Sequence, residues 1–443
     1  MAKTTETQPV AVSARAIRIG KTLDPWSWVE PSVWTERMLT ALEQGVKGGK
    51  WFSLIDKVHP DRTLRAAFGH VAENQGAAGV DHVTIAMFEA HLDDNLRQLS
   101  ALLRTGTYCP QAIRRHYIPK PGTQEKRPLG IPTVRDRVVQ TALRMVLEPI
   151  FEHEFAEHSY GFRPGRGCKD ALRRVDELLK SGHTYIVDAD LKSYFDTIPH
   201  DRLMALVGQQ VSDGRVLSLV EAFLKQGVLD DLREWTPETG SPQGAVISPL
   251  LSNIYLNPLD HQMAQAGFEL VRYADDFVIL CRSLEDAARA LETVQAWTAT
   301  AGLTLHPTKT RIVSAPEAAF EFLGYRFANG QRYPRTKSLQ KLKDTIRAQT
   351  KRTSGRCLRA IIGLLNPTLR GWFEYFKHST RWPLERLDQW IRMRLRSILR
   401  KRLGLKGHGR GADHQRWRNA FFAEQGLYSL KAAHELACQS SSR

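Results

Sequence analysis

The chain is 443 residues long, 42% hydrophobic and 25% charged, an ordinary globular composition with room for about two to four domains. No run approaches the ~20 apolar residues of a membrane span, the N-terminal MAKTTETQPVAVSARA lacks the apolar core of a secretory signal, and five scattered cysteines (Cys109, Cys168, Cys281, Cys357, Cys438) with no Cys-x-x-Cys pair argue against a disulfide framework or cysteine-rich zinc site and fit a reducing cytoplasm. The net charge of +16 is uneven: residues 331–443 hold 26 Lys and Arg against 7 Asp and Glu, a net of +19 that leaves −3 for the first 330, so the C-terminal quarter carries the footprint of a polyanion partner.

In chain order, residues 1–20 read as a disordered tail. Residues 21–65 carry Trp26, Trp28, Trp34 and Trp51 among helical-looking segments and are predicted to pack as a small extension. Residues 66–105 read as helices around the break NQGAAGVD, since MFEAHLDDNLRQLSALL repeats apolar residues at helical spacing. HYIPKPGTQEKRPLGIP gives two short extended pieces around a Pro/Gly/Lys-rich turn. VVQTALRMVLEPIFEHEF is an apolar helix that a proline interrupts.

From residue 184 the texture changes. TYIVDADL reads as a buried strand, FELVRY and FVILCR as two more, and FEFLGYRF as a fourth. Helical stretches such as LEDAARALETVQAWTATAG separate them, which predicts an antiparallel sheet backed by helices. From residue 338 the pattern is of basic helices. In LDQWIRMRLRSILRKRLG, Leu387, Trp390, Ile391 and Leu395 recur at roughly helical spacing with Arg on the other face, a design that suits membrane surfaces, calmodulin-like partners or nucleic acid.

Two adjacent carboxylates interrupt the apolar run VRYADDFVIL. The chain holds its own controls: Asp93-Asp94 lies in an amphipathic helix pattern, and Asp230-Asp231 in a loop pattern. Only Asp275-Asp276 falls between two β-forming runs, at the tip of a predicted hairpin. Turns accept Asp readily, so that pair alone leaves a plain turn and metal ligation both open. Asp190, at the end of YIVDAD, would bring a third carboxylate to the same sheet end. Three anions do not gather without cations, and hard oxygen donors on strands suit Mg2+. A pair of such ions would activate a 3′-hydroxyl and stabilise leaving pyrophosphate.

VDADLKSYFDTI, SPQGAVISPLLSNIYL, VRYADDFVIL, GLTLHPTKT and FEFLGYRF stand in the order of reverse transcriptase motifs. HYIPK…KRPLGIPTVRDRVVQ and SYGFRPGRG resemble the fingers of bacterial group II intron-encoded reverse transcriptase/maturases, and GWFEYF with the basic helices resembles their thumb. The resemblance covers roughly residues 65–430. It implies an α+β right-hand polymerase, with antiparallel-sheet palm and fingers followed by an all-helical basic thumb. The implied divisions are an N-terminal extension (1–65), fingers (66–180), palm with interspersed fingers elements (181–330), thumb or maturase domain (331–403) and a C-terminal basic nucleic-acid-binding segment (404–443).

The resemblance also implies roles. Asp190, Asp275 and Asp276 would bind two Mg2+ ions, with Mn2+ as a substitute and the Leu191 carbonyl as an additional ligand; Asp188 and Asp196 are the rivals to Asp190. Phe195 would lie beneath the incoming sugar and exclude a 2′-hydroxyl, selecting dNTPs. Lys120 and Arg127 would grip the triphosphate, and Gln243-Gly244 would lie against the nascent base pair, the glycine letting backbone approach substrate. Lys309 matches the lysine that protonates leaving pyrophosphate, a role that needs a lowered pKa. Phe322, Leu323 and Gly324 would form the primer grip. The implied partners are an RNA template, a DNA primer, dNTPs, group II intron RNA and target DNA, in a cytoplasmic, nucleoid-associated protein without a membrane partner. The rival functions are an RNA-binding maturase with little polymerase use and a domesticated reverse transcriptase in defence or repair. No zinc-ligand or His-Asn-His endonuclease pattern follows the thumb, so second-strand cleavage is not expected.

Overall fold

The computed structural model describes residues 25–46, 48–119, 126–230, 233–407, 409 and 411–441; the tail expected over residues 1–20 lies outside them. Helices Asp61–Glu73, Ile85–Glu89 and Leu92–Thr105 occupy the stretch where the apolar periodicity predicts them. Leu64, Leu96 and Leu99 are fully buried there, in a core shared with helix Val134–Glu154. The tryptophan-rich extension joins that core through Val33, Trp34 and Leu54.

Helix Val134–Glu154 corrects one expectation. It runs unbroken through Pro149, although a proline inside a helix removes the N–H that would bond the carbonyl four residues back. That carbonyl belongs to Met145, and Trp34 Nε1 donates to it at 3.0 Å from 111 residues away. A donor from the extension thus replaces the one that the proline lacks.

Eleven strands follow among the described residues: β1 (Ile113–Pro119), β2 (Lys126–Ile131), β3 (Tyr185–Asp190), β4 (Val228–Asp230), β5 (Arg233–Trp235), β6 (Glu269–Tyr273), β7 (Asp276–Cys281), β8 (Arg311–Ser314), β9 (Phe320–Phe322), β10 (Tyr325–Ala328) and β11 (Gln331–Pro334). They form sheets of order β2-β1-β4-β5, β6-β7-β3-β8 and β11-β10-β9. The second, palm-like sheet is antiparallel throughout. The first is antiparallel except at β1–β4, which runs parallel.

Side-chain alternation explains why the palm strands read as continuous apolar runs. On β7, Phe277, Ile279 and Cys281 enter the same core as Val187 and Ala189 of β3, whereas Val278 and Leu280 enter a second core with Ile186. A sheet buried on both faces has no polar side to show. The face of Ile186, Val278 and Leu280 is also the one on which Asp188, Asp190 and Asp276 lie, by the period of two.

FEFLGYRF is a hairpin rather than one strand. β9 and β10 are joined by Leu323 at φ 47° and Gly324 at φ 81°, so two left-handed residues reverse the chain in a tight turn. Beyond it, helices Thr336–Gln349, Leu358–Phe376 and Arg381–Arg402 pack through Leu342, Ile346, Leu369, Leu384 and Leu395. Trp417, Phe422 and Leu430 join that core, so residues 412–441 fold onto the thumb helices. Trp390 lies outside the buried seam, with the cations of Lys343, Arg347 and Arg394 at 5.9, 5.6 and 5.3 Å from its ring. The GWFEYF aromatics divide between cores: Phe373 belongs to the thumb, and Phe376 to the palm side. Among the described residues no helix is long and apolar enough to cross a membrane.

Candidate active site

β3 and β7 pair so that Asp190 stands directly opposite Asp276. β6 and β7 form the hairpin that VRYADDFVIL predicts, with Tyr273 paired to Asp276 and only Ala274 and Asp275 at the tip. Ala274 sits at φ 59°, a left-handed conformation that costs a non-glycine residue roughly 1–2 kcal/mol. Asp190, Asp275 and Asp276 therefore meet at one end of the sheet. The rivals are placed differently. Asp188 is two residues further from the tip and faces Arg311 at 3.5 Å, and Asp196 lies on the short helix Tyr194–Thr197, its carboxylate 3.5 Å from the Gln243 amide.

The electrostatics follow from this crowding. The Asp276 carboxyl is pushed up to about 7, first by the protein packed around it and then by the charges of Asp275, Asp188 and Asp190, against the pull of Arg335. Water reaches Asp276 in the cleft, so screening works against that rise. Burial likewise raises Asp275, opposed by Arg127, and Asp188, opposed by Arg311. Asp190 accepts a hydrogen bond from Lys309 Nζ at 2.5 Å. That lysine stands on the turn after His306, whose backbone N–H donates to the Asp190 carbonyl at 2.7 Å. Among the described residues no three His, Cys, Asp or Glu side chains are drawn together tightly enough to enclose an ion. The carboxylates share a sheet end and repel one another, with Lys309 and Arg127 as facing cations.

The floor of the site is built by the turn after β3 and the loop around Ser241-Pro-Gln-Gly. Ser193 at φ 50° turns the chain into helix Tyr194–Thr197, which carries the half-buried Phe195. Ser241 N donates to the Phe195 carbonyl at 2.6 Å, and Gly240 N to that of Ile198 at 2.8 Å. A Cβ at Gly240 would stand 2.8 Å from the Phe195 oxygen, so this glycine is what lets the two segments touch. Leu191 is buried, with a bridge to Leu305. Gly244, expected to let backbone approach substrate, also makes a close approach within the protein: at φ 106°, a Cβ there would overlap the Gly130 carbonyl oxygen of β2. Gly130 N also donates to the Gln243 carbonyl at 2.6 Å. This glycine pair joins β2 to the Ser241-Pro-Gln-Gly loop and carries Gln243 with it. Arg127 is exposed on β2. Lys120 lies outside the described residues. Phe322 is buried beneath the β9–β10 turn, while Leu323 and Gly324 form the turn itself.

Sequence reasoning overlooks the network behind the Asp-Asp tip. Arg272 is fully buried on β6, forked onto the equally buried Asp260 at 2.5–3.0 Å. Its Nη1 donates to Asn253 Oδ1 and to the Ala274 carbonyl, both at 2.9 Å. Asn253 Nδ2 donates in turn to the Gly161 carbonyl at 2.8 Å, and a Cβ at Gly161 would overlap the Ala274 nitrogen. A guanidinium thus clamps the strained residue next to Asp275. An arginine inside an apolar strand was the available signal.

Residues 118–327 match the family described as "Reverse transcriptase (RNA-dependent DNA polymerase)", and residues 339–417 that described as "Group II intron, maturase-specific domain". "Protein YkfC" of Escherichia coli (strain K12) is 34% identical over 343 residues, covering 69% of this chain and 86% of its own. "Group II intron-encoded protein LtrA" of Lactococcus lactis subsp. cremoris is 37% identical over 208 residues, 46% of this chain and 34% of its own. The "Uncharacterized 91 kDa protein in cob intron" of Schizosaccharomyces pombe is 30% identical over 336 residues, 57% of this chain and 42% of its own. The chain thus spans less than half of these last two relatives.

Proposed function

The chain belongs to the group II intron-encoded reverse transcriptase/maturase family, and from that premise we propose that it copies an RNA template into DNA from a DNA primer and binds group II intron RNA to promote its splicing and retrohoming. The observation that carries the polymerase reading is the register of Asp190 against Asp276 with Asp275 at the adjoining tip. The donor set is oxygen alone, on rigid strands, and its mutual repulsion asks for positive charge. Donor type and charge, rather than a closed cage of side chains, therefore suit the divalent ions that this family uses, which we take to be two Mg2+, replaceable by Mn2+, held by Asp190, Asp275 and Asp276 with the Leu191 carbonyl. Bound there, such ions would supply charge for the attacking 3′-hydroxyl and the leaving pyrophosphate.

The remaining roles belong to the chain's own side chains. Arg127, already acting on Asp275 across the cleft, takes the triphosphate together with Lys120. Phe195 blocks the sugar 2′ position, and Gln243, held by the Gly244–Gly130 contact, lies along the nascent pair. Lys309 has two duties in this reading: it balances Asp190 and then donates a proton to departing pyrophosphate. Phe322, Leu323 and Gly324 hold the primer end. The basic helices from Thr336 onward, with the cation-ringed Trp390, bind the template–primer duplex and intron RNA, and target DNA is the further partner. We read the fingers, palm and thumb divisions as the resemblance implies them, and place the activity in the cytoplasm at the nucleoid.

The test is primer extension on a long RNA template with Mg2+ and either dNTPs or rNTPs. Extension by dNTPs that disappears in Asp275→Asn is expected. A folded, RNA-binding preparation that extends nothing would overturn the polymerase reading and leave the maturase alone.

A further inference from the structure

The turn Leu323-Gly324 is held from the thumb. Leu323 adopts φ 47°, a region that a bulky side chain occupies only when its surroundings impose it. The imposing contact comes from helix Leu358–Phe376: Tyr375 Oη donates to the Leu323 carbonyl at 2.6 Å. The link is reciprocal, because Tyr325 Oη, one residue beyond the turn, donates to the Tyr375 carbonyl at 2.5 Å. Arg335 N, at the start of the thumb, donates to the Gly324 carbonyl at 2.9 Å. The Tyr375 helix is anchored at both ends of this junction, by Leu369 and Phe373 in the thumb core and by Phe376 in the palm-side core.

From this geometry we infer that the Tyr375 hydroxyl is a positioning device: it fixes the strained Leu323-Gly324 turn against the thumb, so that the primer end and the duplex behind it are held in one register. The inference rests on reading that turn as the primer grip. Tyr375 touches no reacting atom; it acts through the Leu323 carbonyl. Its ring is packed against Tyr325 and Phe376, with centroids 5.9 and 4.8 Å away. Tyr375→Phe therefore keeps the packing and deletes the bond to the turn, together with the hydroxyl's contact to Cys168.

The experiment measures steady-state extension and, by fluorescence anisotropy without dNTPs, affinity for an RNA–DNA primer–template duplex. Tyr375→Phe is expected to raise KM and Kd for primer–template roughly 2- to 12-fold, the range of one neutral hydrogen bond. The KM for dNTP and the rate at saturating duplex should stay at the wild-type values. Gly324→Ala, strained at φ 81° but with no neighbour nearer its Cβ than 3.6 Å, probes the grip itself. If Gly324→Ala weakens duplex binding and Tyr375→Phe does not, the positioning role is wrong. If neither variant weakens it, the grip reading fails along with it. A Tyr375→Phe protein that loses thermal stability yet binds duplex as wild type does would show a purely structural hydroxyl, and that result also overturns the proposal. The affinity arm decides even for a chain that binds duplex without extending it.

Discussion

Deleting one member of the buried Arg272–Asp260 pair should do more harm than deleting both. Both side chains are essentially without solvent. Asp260→Leu leaves the buried guanidinium without its paired carboxylate, a change that costs about 3–5 kcal/mol. Set against a typical stability of about 5–15 kcal/mol, that is enough to unfold a large fraction of the molecules on mild heating. The double variant Arg272→Met/Asp260→Leu removes both charges at similar volume, and such replacements are neutral or stabilising by about 1–4 kcal/mol in other buried pairs. Here part of that gain is lost, because the Ala274 carbonyl and Asn253 Oδ1 forfeit the Nη1 donor, at roughly 1–3 kcal/mol for each buried polar atom left unpaired. The double variant should therefore regain stability relative to Asp260→Leu without exceeding the wild type. Activity should not follow. With the Ala274 carbonyl released, Asp275 is no longer fixed, and a displacement of about 1 Å at a reacting centre costs on the order of 100-fold in rate. Urea unfolding and single-nucleotide extension on the same preparations read the two effects separately. Wild-type extension by the double variant would reduce the network to a packing feature, and a cost below about 1 kcal/mol for Asp260→Leu would refute the burial argument itself.

Trp34→Phe should destabilise by about 1–3 kcal/mol, since the Met145 carbonyl loses the donor that stands in for the proline's missing N–H; Pro149→Ala, which restores an N–H to the helix, should recover most of that loss in a thermal-unfolding double-mutant cycle. Gly244→Ala must displace the Gly130 carbonyl and adopt φ 106°; we expect extension to fall on the order of 10-fold or more while RNA binding, measured by filter retention, persists. Phe195→Ala should let rNTPs extend a DNA primer at a rate within about 10-fold of dNTPs, in the range that a single contact can discriminate; continued exclusion of rNTPs would place the sugar gate on another residue.

What the sequence disclosed depended on how far apart the interacting residues lie. The convergence of the three aspartates was legible because Asp275 and Asp276 interrupt one apolar run and Asp190 ends another, and local pattern alone put the first two at a hairpin tip. The FEFLGYRF hairpin was not, because its turn uses a leucine where Gly, Asn or Asp would have announced a left-handed residue. Pro149 departs from the proline rule for the same kind of reason: the donor that serves the Met145 carbonyl comes from Trp34, 111 residues away. Gly244 was legible as a close approach but not as a close approach to Gly130, since no local pattern names the partner of a missing Cβ.

The Leu323 turn belongs to a wider pattern of backbone strain near the site. Among the described residues, eight that are not glycine have positive φ, and Ser193, Ala274 and Leu323 are among them. Ser193 lies two residues before Phe195, Ala274 adjoins Asp275, and Leu323 is itself part of the proposed primer grip. Each conformation costs of order 1–3 kcal/mol and persists only where the surroundings over-determine it. For Ala274 the surroundings are Arg272 and Gly161; for Leu323 they are Tyr375 and Tyr325, the former from the thumb. Local propensity argues against the left-handed residue in all three turns; the flanking strands still disclosed the hairpin at Ala274, whereas the one at Leu323 stayed hidden. The strain is resolved only in the tertiary contacts, and it lies where side chains and backbone must be held at positions that an unconstrained chain would not choose.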